Sequence, residues 1–450
     1  MSFPAYPKYK DSGVEWLGEV PEHWGVDRLK RSIGSCKNGI WGEEASGNEN
    51  DIPCVRVADF DRQRLRVQLN EPTIRNVSIK ERAGRVLEQG DLLLEKSGGG
   101  EQQLVGCVVL YDESKPAVCS NFVARMKLSE GMNSSFWRYV HAAAYSIRLT
   151  MGSINQTSGI QNLDQDRYFN ERATFPPLFE QQTIATFLDR ETSKIDALVS
   201  EQETLIELLK ERRQALISEA VTGKFDVRTG KPYPKYKDSG VEWLGEVPEG
   251  WRIVPNKIFL TAIGSEVGNR WDQTQLLSLS IKGIVPRDID SGEGKYPSDF
   301  STYQLVYMGD LVFCLFDMDE TPRTVGLSDR EGMITSAYSI FRCKPCANPE
   351  YIYNYYLHID SFKGLRPFYT GLRKVVRPST FLAVKLALPP IDQQYEIAKF
   401  IRCETFKIDA LVTEADRSIE LLKERRSALI SAAVTGKIDL RNYAQESRAA

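Results

Sequence analysis

Two pairs of short stretches carry side chains suited to contacting a polyanion and the edges of bases. In the first pair, Lys96-Ser97-Gly98-Gly99-Gly100 is followed by Gln156-Thr157-Ser158-Gly159-Ile160-Gln161. In the second, Asp317-Met318-Asp319-Glu320-Thr321 is followed by Tyr369-Thr370-Gly371-Leu372-Arg373-Lys374. Lysine and arginine meet phosphates, while serine, threonine and glutamine both donate and accept at base edges. Glycine lets backbone approach a ligand closely. Eight residues are therefore candidate DNA contacts: Lys96, Ser97, Thr157, Ser158, Gln161, Thr370, Arg373 and Lys374. An ordinary turn into a strand has a similar composition, so the local sequence leaves both readings open.

These stretches sit in a repeated frame. The string YPKYKDSGVEWLGEVPE occurs at Tyr6–Glu22 and again, letter for letter, at Tyr233–Glu249. A second near-repeat runs from Lys194 as KIDALV…IELLKERRQALISEAVTGKFD and from Lys407 as KIDALV…IELLKERRSALISAAVTGKID. Between them lie two unlike inserts, roughly Trp24–Phe175 and Trp251–Leu388. A constant frame with differing inserts reads as one device carrying two readers. The halves divide near residue 230, and the expected segments are 1–175, 176–230, 231–388 and 389–450, with 1–175 and 231–388 holding the inserts. The inserts read as mixed α/β with short strands at Ile52–Val57, Asp91–Leu94, Val105–Tyr111 and Ala117–Met126, matched by Leu276–Ile281, Asp310–Phe316 and Ala337–Arg342. Gly90-Asp91-Leu92 and Gly309-Asp310-Leu311 head corresponding strands, and the loops after them differ, where specificity is expected to sit.

Each insert leads into a long helix. Each helix should open after a proline pair, Pro176-Pro177 or Pro389-Pro390, and stop at a glycine, Gly223 or Gly436. Ile184, Leu188, Ile195, Leu198, Leu205, Leu209 and Leu216 recur with 3,4 alternation, as do Ile397, Ile401, Ile408, Leu411, Leu422 and Leu429. That predicts a heptad seam and antiparallel packing of two rods about 60 Å long, with a pseudo-dyad relating the inserts. Glu191 and Arg212, repeated as Glu404 and Arg425, are expected to fix the register by cross-pairing. Two independent core helices are the alternative, but they need neither this length nor a matching copy.

Composition narrows the function. The chain has 450 residues, 42% of them apolar, enough for real cores. There is no leader-like start and no apolar run near the ~18 residues of a membrane span. The eight cysteines form no framework, and the lone Cys343-Lys-Pro-Cys346 reads as reduced thiols of a cytoplasmic protein. A net charge of −3 argues mildly against a free-standing nucleic-acid binder. The helices and short repeats are acid-rich, while the inserts hold basic clusters: Arg62, Arg64 and Arg66; Arg75, Lys80, Arg82 and Arg85; and Arg366, Arg373, Lys374 and Arg377. No GxxxxGK[ST] loop is present, Gly98–Gly100 does not open a helix as GxGxxG, and His23, His141 and His358 lie far apart in sequence. Asn348-Pro349-Glu350-Tyr351 is similar to the Asn-Pro-Pro-Tyr motif of amino-methyltransferases. Lacking a glycine-rich cofactor loop upstream, it reads as a helix start. Asp317 and Asp319 lack the lysine partner of a nuclease site. The reading is a binding protein and no enzyme.

The frame itself resembles a known family. The Lys-Tyr-Lys-Asp-Ser-Gly-Val-Glu-Trp-Leu-Gly-Glu-Val-Pro-Glu string followed by Trp24 or Trp251, the Pro-Pro opening that runs to Gln182 or Gln394, and the doubled Lys-Ile-Asp-Ala-Leu…Leu-Leu-Lys-Glu-Arg-Arg…Ala-Val-Thr-Gly-Lys helix resemble the DNA-specificity subunit of type I restriction-modification systems. The likeness covers the full length in the family's order. It implies an α+β fold in which two mixed α/β target recognition domains are joined by two long antiparallel coiled-coil helices, with a pseudo-twofold internal repeat. It implies a subunit that reads a bipartite site in double-stranded DNA and directs two methyltransferase subunits and the restriction or motor subunits. It also implies no cofactor in this chain, with S-adenosylmethionine, ATP and Mg in the partners, and no membrane association. Partner contact is expected on the outer helix faces, at Glu207, Lys210, Glu211 and Arg213 and at Glu420, Lys423, Glu424 and Arg426. A type II methylase assembly would use the same device, and a coiled-coil scaffold that binds no DNA would have no use for two divergent inserts. Removing whole heptads from the rods should change the unread spacer and leave the half-sites intact.

Overall fold

The computed structural model describes residues 3–99, 103–157, 159–241, 243–287 and 300–443. The chain falls into two compact units, Met1–Glu203 with Asp416–Ala450, and Thr204–Ala415. Four helices organise them: α1 (Ser134–Ser146), α2 (Leu178–Val221), α3 (Pro349–Ser361) and α4 (Ile391–Val434). The unit boundaries fall inside α2 and α4, so each long helix contributes one part to each unit.

The first unit is built on a six-stranded sheet in the order Ile33–Asn38, Val123–Leu128, Leu92–Glu95, Val108–Leu110, Arg66–Val67, Phe60–Asp61. It is antiparallel except where Leu110 pairs in parallel with Arg66. Because the sheet is covered on one side by α1, the central strand Leu92-Leu93-Leu94 is wholly buried. Side chains alternate across the strand, so Leu92 and Leu94 join one core with α1, and Leu93 joins a second beneath Val55, Val109 and Tyr111. Asn133 caps α1 by accepting from the Phe136 amide at 2.9 Å. Gln181 ties α1 to α2, accepting from the Asn133 amide at 3.0 Å and donating to the Pro176 carbonyl at 2.9 Å.

The second unit repeats this construction on a four-stranded antiparallel sheet, Leu260–Ile263, Ser339–Cys343, Leu311–Phe313, Val325–Leu327. Asn348 caps α3 through the Tyr351 amide at 2.9 Å, and Gln394 accepts from the Asn348 amide at 2.8 Å. The Asn348-Pro-Glu-Tyr segment is thus a helix start. The matched Gly-Asp-Leu snatches are structural as well. Buried Asp91 accepts from the Glu88 amide and from Arg125 at 2.6 Å, and buried Asp310 from the Tyr307 amide and from Arg342 at 2.7 Å.

The exact repeat has a local explanation in each unit. Tyr9–Asp11 and Glu19–Pro21 form an antiparallel hairpin, and the Tyr9 hydroxyl donates to the Gly436 carbonyl just past α4 at 3.1 Å. In the second unit the hairpin of Tyr236–Asp238 and Glu246–Pro248 sends the Tyr236 hydroxyl to the Gly223 carbonyl past α2, also at 3.1 Å. Both glycines have left-handed φ, +73° and +72°, and a Cβ at Gly436 would stand 2.3 Å from Pro21. The two copies are identical because they cap two near-identical helix ends.

Within the first unit the starts and ends of the long helices run in opposite directions. Thr174, ahead of α2, donates to the Val434 carbonyl at 2.6 Å, and further along Asp196 accepts from Arg426 at 3.0 Å. In the second unit Val221 and Ile397 share one core while Arg213 meets Asp409 at 3.5 Å. Antiparallel packing therefore holds in each unit, but the seam differs from the heptad reading. Leu198, Leu205 and Leu411 are exposed, and Val199, Ile206, Ala415 and Ile419 are buried instead. A strict 3.5-residue repeat drifts by about 20° per heptad on a straight helix of ~3.6 residues per turn, which moves the stripe by one position. The same drift overturns the expected cross-pairs. Glu191 and Glu404 bond along their own helices to Lys194 and Lys407, both at 2.6 Å. Among the described residues, ion pairs that bridge the helices join Asp196 with Arg426 and Asp409 with Arg213.

Each unit contains a histidine whose pKa is lowered by burial, fully buried His141 in the first and partly buried His358 in the second. His141 is fully buried beside the Tyr168 hydroxyl at 2.8 Å, and burial pulls its pKa down to about 4; His358 is lowered to about 4 for the same reason. Unfolded histidine titrates near 6.5, so between these values the unfolded chain binds more protons and stability is lost as the pH is lowered. From His141 alone we expect about 2 kcal/mol less stability at pH 5 than at pH 7. Denaturant titrations at both pH values test this, and His141→Leu should flatten the dependence.

Candidate nucleic-acid interface

The loops paired in sequence are also neighbours in space, in each unit separately. In the first unit Ser97–Gly98 pairs antiparallel with Gln161 and Asn162, and Ile154–Thr157 flanks the other side of Ile160–Leu163. The Ser97 hydroxyl donates to Asn162 at 2.6 Å, and the Lys96 ammonium reaches the Asn38 side-chain oxygen at 2.7 Å. Gln161 is buried and its Oε1 accepts from the Val105 amide at 3.2 Å, so it braces the loop from inside. Thr157 contributes its backbone to the pairing with Ile160, and Ser158 lies outside the described residues.

In the second unit Thr370 and Val375 close a tight turn, with the Thr370 hydroxyl donating to the Val375 carbonyl at 2.9 Å. The Asp317 amide donates to the Arg373 carbonyl at 2.7 Å, and the Arg373 guanidinium returns to the Asp317 carboxylate at 2.5 and 3.2 Å. Hydrogen bonding from Arg373 holds the Asp317 carboxyl below the usual carboxylate range. Arg366 and Asp319 make a second pair at 3.1 Å. Lys374 is exposed with φ of +47°, and Leu372 projects from the turn fully exposed. Lys96, Arg373 and Lys374 therefore present cationic groups at the loops, while Gln161 and Thr370 spend their polar groups on the fold.

The helix positions divide as well. Glu207 with Lys210 and Glu420 with Lys423 are exposed pairs along one helix at 2.8 and 3.1 Å, and Glu211 and Glu424 are exposed beside them. Arg213 and Arg426 do not lie on outer faces, because the shifted seam turns both toward the other helix. The sequence reading missed Leu208 and Leu421, and it placed Leu198 and Leu411 in the seam; all four are exposed leucines on α2 and α4. Their signal was the 213-residue repeat of Leu198 in Leu411 and of Leu208 in Leu421. Cys343 and Cys346 are free thiols, and burial pushes that of Cys343 up to about 12, away from the thiolate that metal or redox chemistry needs.

Comparison with known proteins follows the same lines. No family model matches the chain. It is similar to the putative type I restriction enzyme MjaX specificity subunit of Methanocaldococcus jannaschii, 21% identical over 457 residues and covering 94% of this chain and 95% of that one. The MjaVIII specificity subunit of the same organism is 24% identical over 327 residues, covering 66% and 70%. Among solved structures, the HsdS subunit from Thermoanaerobacter tengcongensis superposes with a TM-score of 0.51 at 13% identity, covering 93% of this chain and 98% of that one. A chain from a structure describing complex assembly and conformational transition of the type I R-M system gives 0.65 at 14%, covering 93% and 99%. The fold class read from the sequence is therefore borne out: α+β, with two mixed domains and two long helices. So is the resemblance to type I restriction-modification specificity subunits. Among the described residues no helix is long and apolar enough to cross a membrane.

Proposed function

We infer that this chain is the non-catalytic, sequence-reading subunit of a type I restriction-modification assembly, acting in the cytoplasm. Each insert reads one half of a split site in double-stranded DNA. The observation that carries this reading is a repeated frame that presents matched but chemically different loops, Lys96-Ser97 against Ile160–Leu163 in one unit and Asp317 against Arg373 in the other. Phosphate contacts from insert cations would set the register and polar loop groups would read base edges. Full-length similarity to specificity subunits supports the assignment. The exposed leucines Leu198, Leu208, Leu411 and Leu421, with the charged residues beside them, support docking of two methyltransferase subunits on the helices, to which restriction subunits join. S-adenosylmethionine, ATP and Mg belong to those partners.

Methylome sequencing of a host expressing this chain with its modification subunit tests the reading. A split motif with methyladenine in both halves, lost on deletion of this gene, is the expected result. No new mark, with the partner present and active, transfers the weight to a scaffold that binds no DNA. Exchanging the insert within 231–388 should alter one half of the motif only. Arg373→Ala should weaken binding about equally whatever the bases of that half-site, lower the salt dependence of binding by about one phosphate contact, and leave the motif unchanged.

A further inference from the structure

The first insert holds an aromatic cleft beside the Lys96-Ser97 loop. Its walls are Trp41 and Phe122, 38% and 50% exposed, and it encloses about 470 Å³ above Val57 and Ala58 with Arg56 and Asn121 at the rim. Exposed rings of this size need a reason, and here the backbone holds them in place. The Gly39 amide donates to the Val123 carbonyl and the Ile40 amide to that of Cys119, and a Cβ on Gly39 would stand 2.1 Å from the Cys119 oxygen. Gly42 has φ of +64° and lies against the Asn76 carbonyl. The loop that presents Trp41 is therefore wedged into the sheet at both of its glycines.

Three cations clamp the same loop. Arg75 donates to the carbonyls of Trp41 and Gly42 at 3.1 and 3.0 Å, and its guanidinium lies 4.5 Å from the Trp41 ring centroid. Arg85 donates to the Asn38 carbonyl at 3.2 Å, and Lys96 to the Asn38 side chain at 2.7 Å. The basic run Arg75, Lys80, Arg82 and Arg85 thus places two of its members on the loop that presents Trp41. The Phe122 carbonyl accepts from the amides of Lys96 and Ser97 at 2.8 and 3.3 Å, so the cleft adjoins the reading loop. Apolar walls beside a loop held by three cations suit a base flanked by phosphates.

Resting on the function inferred above, we propose that the Trp41–Phe122 cleft reads a thymine of the first half-site by enclosing its C5-methyl group. That methyl is the apolar group a base edge offers in the major groove. A half-site with a target adenine carries a thymine opposite it. Arg75, Arg85 and Lys96 then meet the flanking phosphates.

The test uses the full-length chain with its modification subunit and a duplex carrying the methylome-defined site, with each thymine of that half replaced by uracil in turn. One uracil should weaken binding by the parent about three- to fivefold, the worth of one buried methyl. Phe122→Ala and Trp41→Ala should weaken binding of the intact duplex by about the same three- to fivefold and abolish the uracil penalty. Phe122→Ala removes a half-exposed ring, and an unchanged unfolding curve confirms that the variant folds. Uracil in the other half should affect parent and variants alike. The proposal is overturned if the parent ignores every uracil, or if the penalty persists in both variants. It is also overturned if either variant loses the modification subunit in the absence of DNA, which would make the cleft a protein contact. Failure of the parent to bind the intact site at all would instead refute the underlying function.

Discussion

Glu180→Ala is expected to destabilise the first unit by about 3–5 kcal/mol, whereas Gln393→Ala, at the corresponding position, should cost the second about 1–2 kcal/mol. The carboxylate of Glu180 is buried at the start of α2 and accepts three hydrogen bonds from the first frame motif and its flank. Tyr6 donates to Oε2 at 2.8 Å and Trp24 at 3.0 Å, and the His23 imidazole meets Oε1 at 2.6 Å. Burial first, and the carboxylate second, hold the Tyr6 phenol protonated far above its ordinary range. Alanine would strand two fully buried donors, while half-exposed His23 can rehydrate. Gln393 accepts a single bond, from Trp251 at 3.1 Å, and Gly250 stands where the first copy has His23. Glu180→Gln keeps an acceptor and should fall between the two. Hydrogen exchange of the Tyr9–Asp11 amides against those of Tyr236–Asp238 localises the effect, and equal losses in the two units would sink the argument.

Asp189→Ala should cost the first unit about 3–5 kcal/mol, and Arg138→Met together with Asp189→Leu should restore most of the loss. Arg138 on α1 is 1% exposed, pairs with Asp189 on α2, and lies over the Tyr139 ring at 4.6 Å. The Tyr139 hydroxyl donates to the same carboxylate at 2.8 Å. Nε and Nη1 of Arg138 are buried without a partner, so the pair already carries an unmet desolvation cost. Removing only the carboxylate leaves a buried cation unbalanced, and removing both charges relieves it. Double-mutant cycles by denaturant unfolding measure the coupling, and a value near zero contradicts the assignment. Because α1 carries the sheet behind the Lys96-Ser97 loop, Asp189→Ala should lose marking of the first half-site on warming before the second.

Much of this was legible in the residues. The Pro-Pro openings and glycine stops bounded α2 and α4, since proline and left-handed glycine act on the local backbone whatever surrounds them. The predicted strands at Asp91–Leu94, Val105–Tyr111 and Asp310–Phe316 lie within one to three residues of those observed. The site was legible as loops more than as side chains. Matched positions found the Ser97 and Arg373 loops, but composition could not separate Gln161, which faces inward, from Lys96, which faces out. Trp41 and Phe122 went unremarked because a lone aromatic in a sequence looks the same in a core and on a surface.

By itself the sequence determined the doubled frame, the order of motif, insert and helix, and the positions where chain direction must change, because repetition and turn chemistry are properties of the chain alone. Tertiary packing decided which face of each helix is buried. A slip from Arg212 to Arg213 or from Leu198 to Val199 is one position in the chain but about 100° around a helix. It also decided the partners of the buried charges, since Asp189 meets Arg138 only once α1 lies on α2. And it set the glycines of the Asn38–Gly42 loop against the Cys119 and Asn76 carbonyls, a closeness of strands distant in sequence that alone makes Trp41 a presented ring.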